Sequence, residues 1–244
     1  IRESDRRLLS DYAEKMGSYF NNLSECGYQL PPDNFQEQPF IGWADRTSPT
    51  NLGFYLLSWC ALACLGRVSW EEAAKKCSEL TGKAERLEKY RGNLYNWYGC
   101  SDPVPLEPRY ISSVDSGNFA ACAATAARCF EKQGDGHSVL VARLDALWRN
   151  TDLSVFYDKE KKLMAIGLDS DKKRLGGFYD MLSSEARLTS YVAIAKGDVP
   201  AEHWSALSRH MTSFRGYCGL TAWSGSLFEY LMPDIFLPAY RGTL

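Results

Sequence analysis

The sequence predicts an all-α domain built from paired helices, and three observations carry that reading. Residues 50–66 are apolar on nearly every face, which for a helix means burial all round. Residues 70–91 place Trp70, Ala73, Cys77, Leu80, Ala84 and Leu87 at three- and four-residue steps among many charges, the pattern of an outer helix with one buried stripe. No alternation of strand and helix appears that would call for a parallel sheet. At 244 residues, 45% apolar and 24% charged, the chain has the composition of a globular protein with a substantial core.

The elements follow in order. The apolar run of 50–66 is short of the roughly 20 residues a spanning helix needs, and Asn51 and Gly53 interrupt it, so it predicts an inner helix without a membrane segment. After the outer helix of 70–91, residues 118–132 are rich in Ala and Cys, as expected for helices that approach closely. A turn at Asp135-Gly136 leads to an amphipathic helix over 137–148. Residues 154–168 hold two apolar runs around a charged turn and predict a hairpin between helices. Helices are predicted again over 182–196, 200–208 and 224–232.

Composition narrows the function classes. A net charge of -2 offers no basic surplus for a phosphate backbone, so nucleic acid is not the expected partner. Aromatic residues make up 13%, including seven Trp and fourteen Tyr, which suits sugar stacking as well as core filling. The eight cysteines show no CxxC pair, and His137, His203 and His210 are not at ligand spacing; buried thiols are expected, with no metal and no cofactor. The start at Ile1 and the loop-like end at 237–244 suggest a piece of a longer chain.

The chemistry-bearing residues lie between helices. Gly177-Phe-Tyr-Asp-Met-Leu-Ser-Ser-Glu-Ala-Arg-Leu188 places Glu185 among aromatic and hydroxyl groups at the start of an apolar helix, where partial burial can raise a carboxyl pKa and leave it a proton donor. A capped helix with a solvated glutamate is the alternative. Asp115 either caps the helix that follows it or grips sugar hydroxyls. Glu229 is either catalytic or a first-turn glutamate favoured by the helix dipole. Loops at 42–51, 92–98, 109–118 and 221–229 supply Trp43, Arg46, Asn51, Trp97, Tyr110, Asn118, Tyr179 (from 177–188) and Trp223 as candidate sugar contacts. Arg46, Arg109 and Arg187 are candidates to fix the acids bidentately. No nucleophile elbow, phosphate loop or zinc-protease motif is present.

Six ordered segments carry a resemblance: Thr47-Ser-Pro-Thr-Asn-Leu-Gly-Phe-Tyr-Leu-Leu57, residues 87–98, Pro108-Arg-Tyr-Ile-Ser-Ser-Val-Asp-Ser-Gly-Asn118, Ser184-Glu-Ala-Arg-Leu188, residues 195–200, and Trp223-Ser-Gly-Ser-Leu-Phe-Glu-Tyr-Leu-Met-Pro233. Together they resemble the glycoamylase-like domain of cyclic β-1,2-glucan synthases, from about residue 41 onward. Residues 1–40 read as the approach to that domain. The resemblance implies an (α/α)6 toroid acting on linear β-1,2-glucan, within a larger membrane protein at the cytoplasmic face of the inner membrane whose other domains are its partners. It implies cyclisation by anomer-retaining transglycosylation, with one carboxyl as acid/base and a second as nucleophile. Glu185 matches the acid/base position. The family's nucleophile belongs to a Gly-Ile-Ser-Glu-Ser type segment that lies beyond this chain, so half of the pair and an incomplete toroid, with apolar inner faces open, are expected here. A non-catalytic glucan-binding module and a hydrolase of another β-glucan are the competing functions. The chain departs from the family at Phe119-Ala-Ala-Cys-Ala-Ala and at Gly99-Cys-Ser-Asp-Pro-Val.

Overall fold

The computed structural model describes residues 2–21 and 27–238. Among the described residues eight α-helices run in chain order: α1 (Glu3–Asn21), α2 (Pro49–Cys64), α3 (Trp70–Arg86), α4 (Ser113–Glu131), α5 (Ser138–Asn150), α6 (Ala186–Lys196), α7 (Glu202–Ala206) and α8 (Leu227–Leu231). Inner and outer helices alternate as the apolar patterns predict. The inner layer is α2, α4 and α6, with α4 packed between the other two, while α3 and α5 lie outside them. Leu52, Leu56 and Trp59 of α2 and Phe119, Ala123 and Phe130 of α4 are buried in one core with Cys77 of α3 and Leu144 of α5. α1 joins by packing Phe20 edge-on to Tyr55 at 5.6 Å.

Small residues set the spacing of the inner layer. A Cβ on Gly53 would lie 2.9 Å from the Cys122 Cβ, and one on Gly117 would lie 2.1 Å from the Thr189 hydroxyl, so α2 meets α4 and α4 meets α6 nearly backbone to backbone. Hydroxyls start the helices. Ser48, Ser69 and Ser112 accept from the N–H groups of Asn51, Glu72 and Asp115, each satisfying an otherwise unpaired first-turn donor. Ser112 therefore caps α4, which sets aside the capping alternative for Asp115. α3 ends at Arg86, short of residue 91, because Lys89–Tyr90 turns back on Asn93–Leu94 through Arg91 and Gly92, both at positive φ.

Short antiparallel sheets decorate the helices. The expected hairpin pairs Tyr157–Asp158 with Leu163–Ala165, and Phe178–Tyr179 adds a third strand. A four-stranded sheet orders Arg174–Leu175, Gly167–Asp169, Pro105–Ser112 and Asn96–Tyr98. The long helices expected over 200–208 and 224–232 shrink to α7 and α8, and a Met211–Phe214/Tyr217–Leu220 hairpin lies between them. That last region is the least covered. Met211, Phe214, Tyr217, Trp223, Leu227 and Phe228 are all at least half exposed. Of the cysteines, Cys60, Cys77, Cys100 and Cys122 are buried, whereas Cys64 and Cys218 are exposed, contrary to a uniform set of buried thiols.

Two titratable groups are tuned by the fold. His203 is fully buried; its Nδ1 lies 2.9 Å from the Lys162 carbonyl, to which it can only donate, and its Nε2 lies 2.9 Å from the Ser190 hydroxyl, so both ring nitrogens are partnered. Burial lowers its pKa from 6.5. Glu229 closes a capping box with Ser226 at the start of α8, and hydrogen bonds from Ser224 and Ser226 hold its carboxyl down at about 2, below the usual 4.5. Both folded values lie below the unfolded ones, so the unfolded chain binds more protons on acidification. Thermal stability is expected to decline first as pH falls below 6.5 and again between 4.5 and about 2. Glu229→Gln should lower Tm near neutrality and flatten the second decline; parallel Tm–pH curves for the two proteins would rule out this role.

Candidate active site

Glu185 sits at the first position before α6, half-buried, and its side chain does not cap its own helix. Ser184 does that work, accepting from the Ala186 N–H at 3.2 Å, and also faces Glu185 Oε2 at 3.2 Å. The carboxylate is thereby free of a structural duty. The Tyr179 phenol lies within its electrostatic reach and is held well above its ordinary pKa by burial first, then by the charge of Glu185, with Tyr110 and Asp115 adding smaller effects. Tyr179 thus stays protonated, and the charges of Glu185 and Asp115 both act on its hydroxyl. The Tyr110 pKa is raised likewise, by burial and then by Asp115.

The sheet and two helix starts assemble this group. Tyr110 lies opposite Asn96 and Asp169, and it can cross the neighbouring strand because residue 167 is glycine: a Cβ there would fall 2.0 Å from the Tyr110 hydroxyl. Asp115, in the first turn of α4, accepts from Thr50 Oγ1 at 2.6 Å. Asn118 is buried and donates to the same Thr50 oxygen at 3.1 Å, so it orients Thr50 instead of facing the cleft. At the Tyr179 side, Trp223 lies tilted at 40° with ring centroids 5.7 Å apart, half exposed, with its indole N–H donating to Asp180 at 3.0 Å.

A second cluster adjoins Asp115. Asn51 donates to Asp33 Oδ1 at 2.5 Å, Arg46 pairs with Asp33 Oδ2 at 3.4 Å, and the same guanidinium lies 5.2 Å over the Trp97 ring. The Asp33 pKa is raised, burial outweighing Arg46 and the hydrogen bonds from Ser48 and Asn51, with a further push from Asp115. Asp33 escaped the sequence reading because a lone acid in Pro-Pro-Asp-Asn has no helical period around it; the Arg46 and Asn51 it serves were the visible half.

Other predicted residues go elsewhere. Trp43 packs on Phe35 at 4.8 Å and Tyr19 at 5.2 Å in an aromatic group of its own. Both Glu229 oxygens accept from Ser224, so that carboxylate is committed to the α8 cap. None of the three arginines grips the acids proposed for it: Arg46 pairs with Asp33, Arg109 with Glu88, and Arg187 with Asp234 at 2.9 Å. Among the described residues no His, Cys, Asp and Glu group is arranged to hold a metal ion, and no helix is long and apolar enough to cross a membrane.

Alternating inner and outer helices with hairpin excursions define the class: the fold is that of the glucoamylase-type helical toroids. A glucoamylase-type structure from Bacteroides fragilis superposes with a TM-score of 0.74 at 16% identity, over 92% of this chain and 58% of that one. An endo-β-1,2-glucanase from Chitinophaga pinensis gives 0.66 at 14% identity, over 86% of this chain and 55% of that one. No family model matches the chain. In sequence it is similar to the cyclic β-(1,2)-glucan synthase NdvB of Rhizobium meliloti, 28% identical over an aligned length of 341 residues. That match takes in 88% of this chain and 12% of the synthase.

Proposed function

We propose that the chain is a domain acting on linear β-1,2-glucan, with Glu185 as the general acid/base. The observation that carries this is the group around Tyr179, where a half-buried carboxylate that does not cap its own helix and a second carboxylate both act electrostatically on a buried phenol, and a tryptophan lies tilted against that phenol. Similarity to a cyclic β-(1,2)-glucan synthase and the fold shared with an endo-β-1,2-glucanase support the choice of substrate. In this reading Glu185 delivers a proton to the glycosidic oxygen as its bond to the anomeric carbon breaks. A second carboxyl takes that carbon covalently, and Glu185 then removes the proton from the sugar hydroxyl that attacks it. When the attacking hydroxyl is the C2 hydroxyl at the other end of the same chain, the product is a ring. The domain then serves a larger membrane-bound synthase on its cytoplasmic side, its nucleophile supplied from outside these residues.

One observation favours a second reading. Asp115 and Glu185 both bear on Tyr179, so Asp115 can act as a base for water, giving net hydrolysis. The products separate the two. Incubation with linear β-1,2-, β-1,3- and β-1,4-glucans, followed by reducing-end assay and mass analysis, is expected to show binding and turnover of the β-1,2 polymer alone. Rings support transglycosylation and new reducing ends support hydrolysis. Binding of the β-1,2 polymer with neither product, in the presence of the downstream segment, would indicate a non-catalytic glucan-binding module, and no preference among linkages would overturn the substrate assignment.

A further inference from the structure

Asp33 is held as surface carboxylates are not. Its side chain is 16% exposed, with Asn51 on one oxygen and Arg46 on the other, and its own N–H donates to the Arg46 carbonyl at 2.8 Å. Side chain and main chain thus bind the two residues to each other from both sides. Arg46 keeps 52% of its side chain exposed while lying over Trp97. A guanidinium lying over an indole and half open to solvent offers a sugar an aromatic-backed cation and a fork of N–H donors for its hydroxyls. Untethered, an arginine side chain samples many rotamers, and ordering it on binding costs affinity; the carboxylate of Asp33 restricts that freedom beforehand.

The platform is contiguous with the reacting group. Thr50 and Asn51 are consecutive at the start of α2; the first reaches Asp115 and the second reaches Asp33. Trp97 and Tyr110 share one sheet through the neighbouring strands Asn96–Tyr98 and Pro105–Ser112. Arg46 and Trp97 therefore extend the Asp115 end of the site, while Trp223 extends the Tyr179 end.

We infer that Asp33 is a positioning residue for an outer glucosyl subsite: it holds Arg46 over Trp97, and that pair takes a glucose unit of the chain beyond those gripped around Glu185 and Asp115. The inference rests on the β-1,2-glucan reading. Its test is calorimetric titration of the full chain with β-1,2-linked gluco-oligosaccharides, from the disaccharide upward. Wild type is expected to gain affinity with length, and Asp33→Asn to lose about tenfold on the long oligosaccharides, the size of one charge-assisted hydrogen bond, with the shortest unaffected. Arg46→Lys, at an exposed position where folding is not at stake, keeps the charge but not the planar fork and should show the same length-dependent loss. Equal loss at every length, or no loss in either variant, overturns the subsite. Failure of wild type to bind any of the series would instead remove the glucan reading, and the subsite with it.

Discussion

Glu185→Gln is expected to lower turnover of linear β-1,2-glucan by about 10²–10⁴-fold, the usual contribution of a general acid, in a protein that also supplies the second carboxyl. Glucan affinity should stay within a few-fold, because glutamine keeps the shape and one acceptor oxygen. The substitution is clean for a structural reason. Ser184, not Glu185, caps the start of α6, so the helix does not depend on the charge that is removed. The defect should shrink on aryl glycosides whose leaving groups depart without protonation, since the missing proton then matters less. Turnover within a few-fold of wild type on the natural polymer would remove Glu185 from the chemistry, and Asp115 would become the first residue to examine.

What could be read from the sequence divides along a physical line. The inner helices announced themselves because burial on all sides demands apolar residues on all sides, and the Ala and Cys content of 118–132 anticipated the close contacts that Gly53 and Gly117 make. Glu185 was legible for the same kind of reason: its aromatic and hydroxyl neighbours are local in sequence. Pairings at long range were not. Pro105–Ser112 forms a strand only because Gly167–Asp169 and Asn96–Tyr98 lie beside it, and two prolines in eight residues argue against a strand when viewed alone. The Met211–Leu220 hairpin did leave a trace. Arg215 and Gly216 both take positive φ, as the tight hairpin turn requires, and Arg-Gly between two short apolar runs is the sequence form of that demand. Asp33 left none, since its meaning comes from Arg46, Asn51 and Asp115, which only the folded chain gathers.

Gly117→Ala is expected to destabilise the protein by about 1–3 kcal/mol through overpacking, against the gain of about 1 kcal/mol that alanine brings to an ordinary helix interior. The new methyl group would lie 2.1 Å from the Thr189 hydroxyl, 2.5 Å from its Cβ and 2.7 Å from its Cα. Removing the hydroxyl in a Gly117→Ala/Thr189→Ala double variant should therefore fail to restore stability, because Cβ and backbone still block the space. α4 and α6 must move apart, and they do so beside the site: Asp115 lies two residues before Gly117, and Glu185 four before Thr189. Loss of stability should thus come with loss of glucan turnover. Gly82→Ala in α3 provides the contrast, since its methyl group would meet side-chain ends instead of backbone, Arg143 at 3.0 Å and Arg86 at 3.6 Å; the tethered Arg143 guanidinium has to shift by only a few tenths of an ångström, and there helix propensity should prevail. Chemical denaturation of the four proteins decides the matter: a Gly117→Ala midpoint at or above that of wild type would show that the two helices have room to spare, and the close approach would no longer explain how the starts of α4 and α6, with Asp115 and Glu185, are held together.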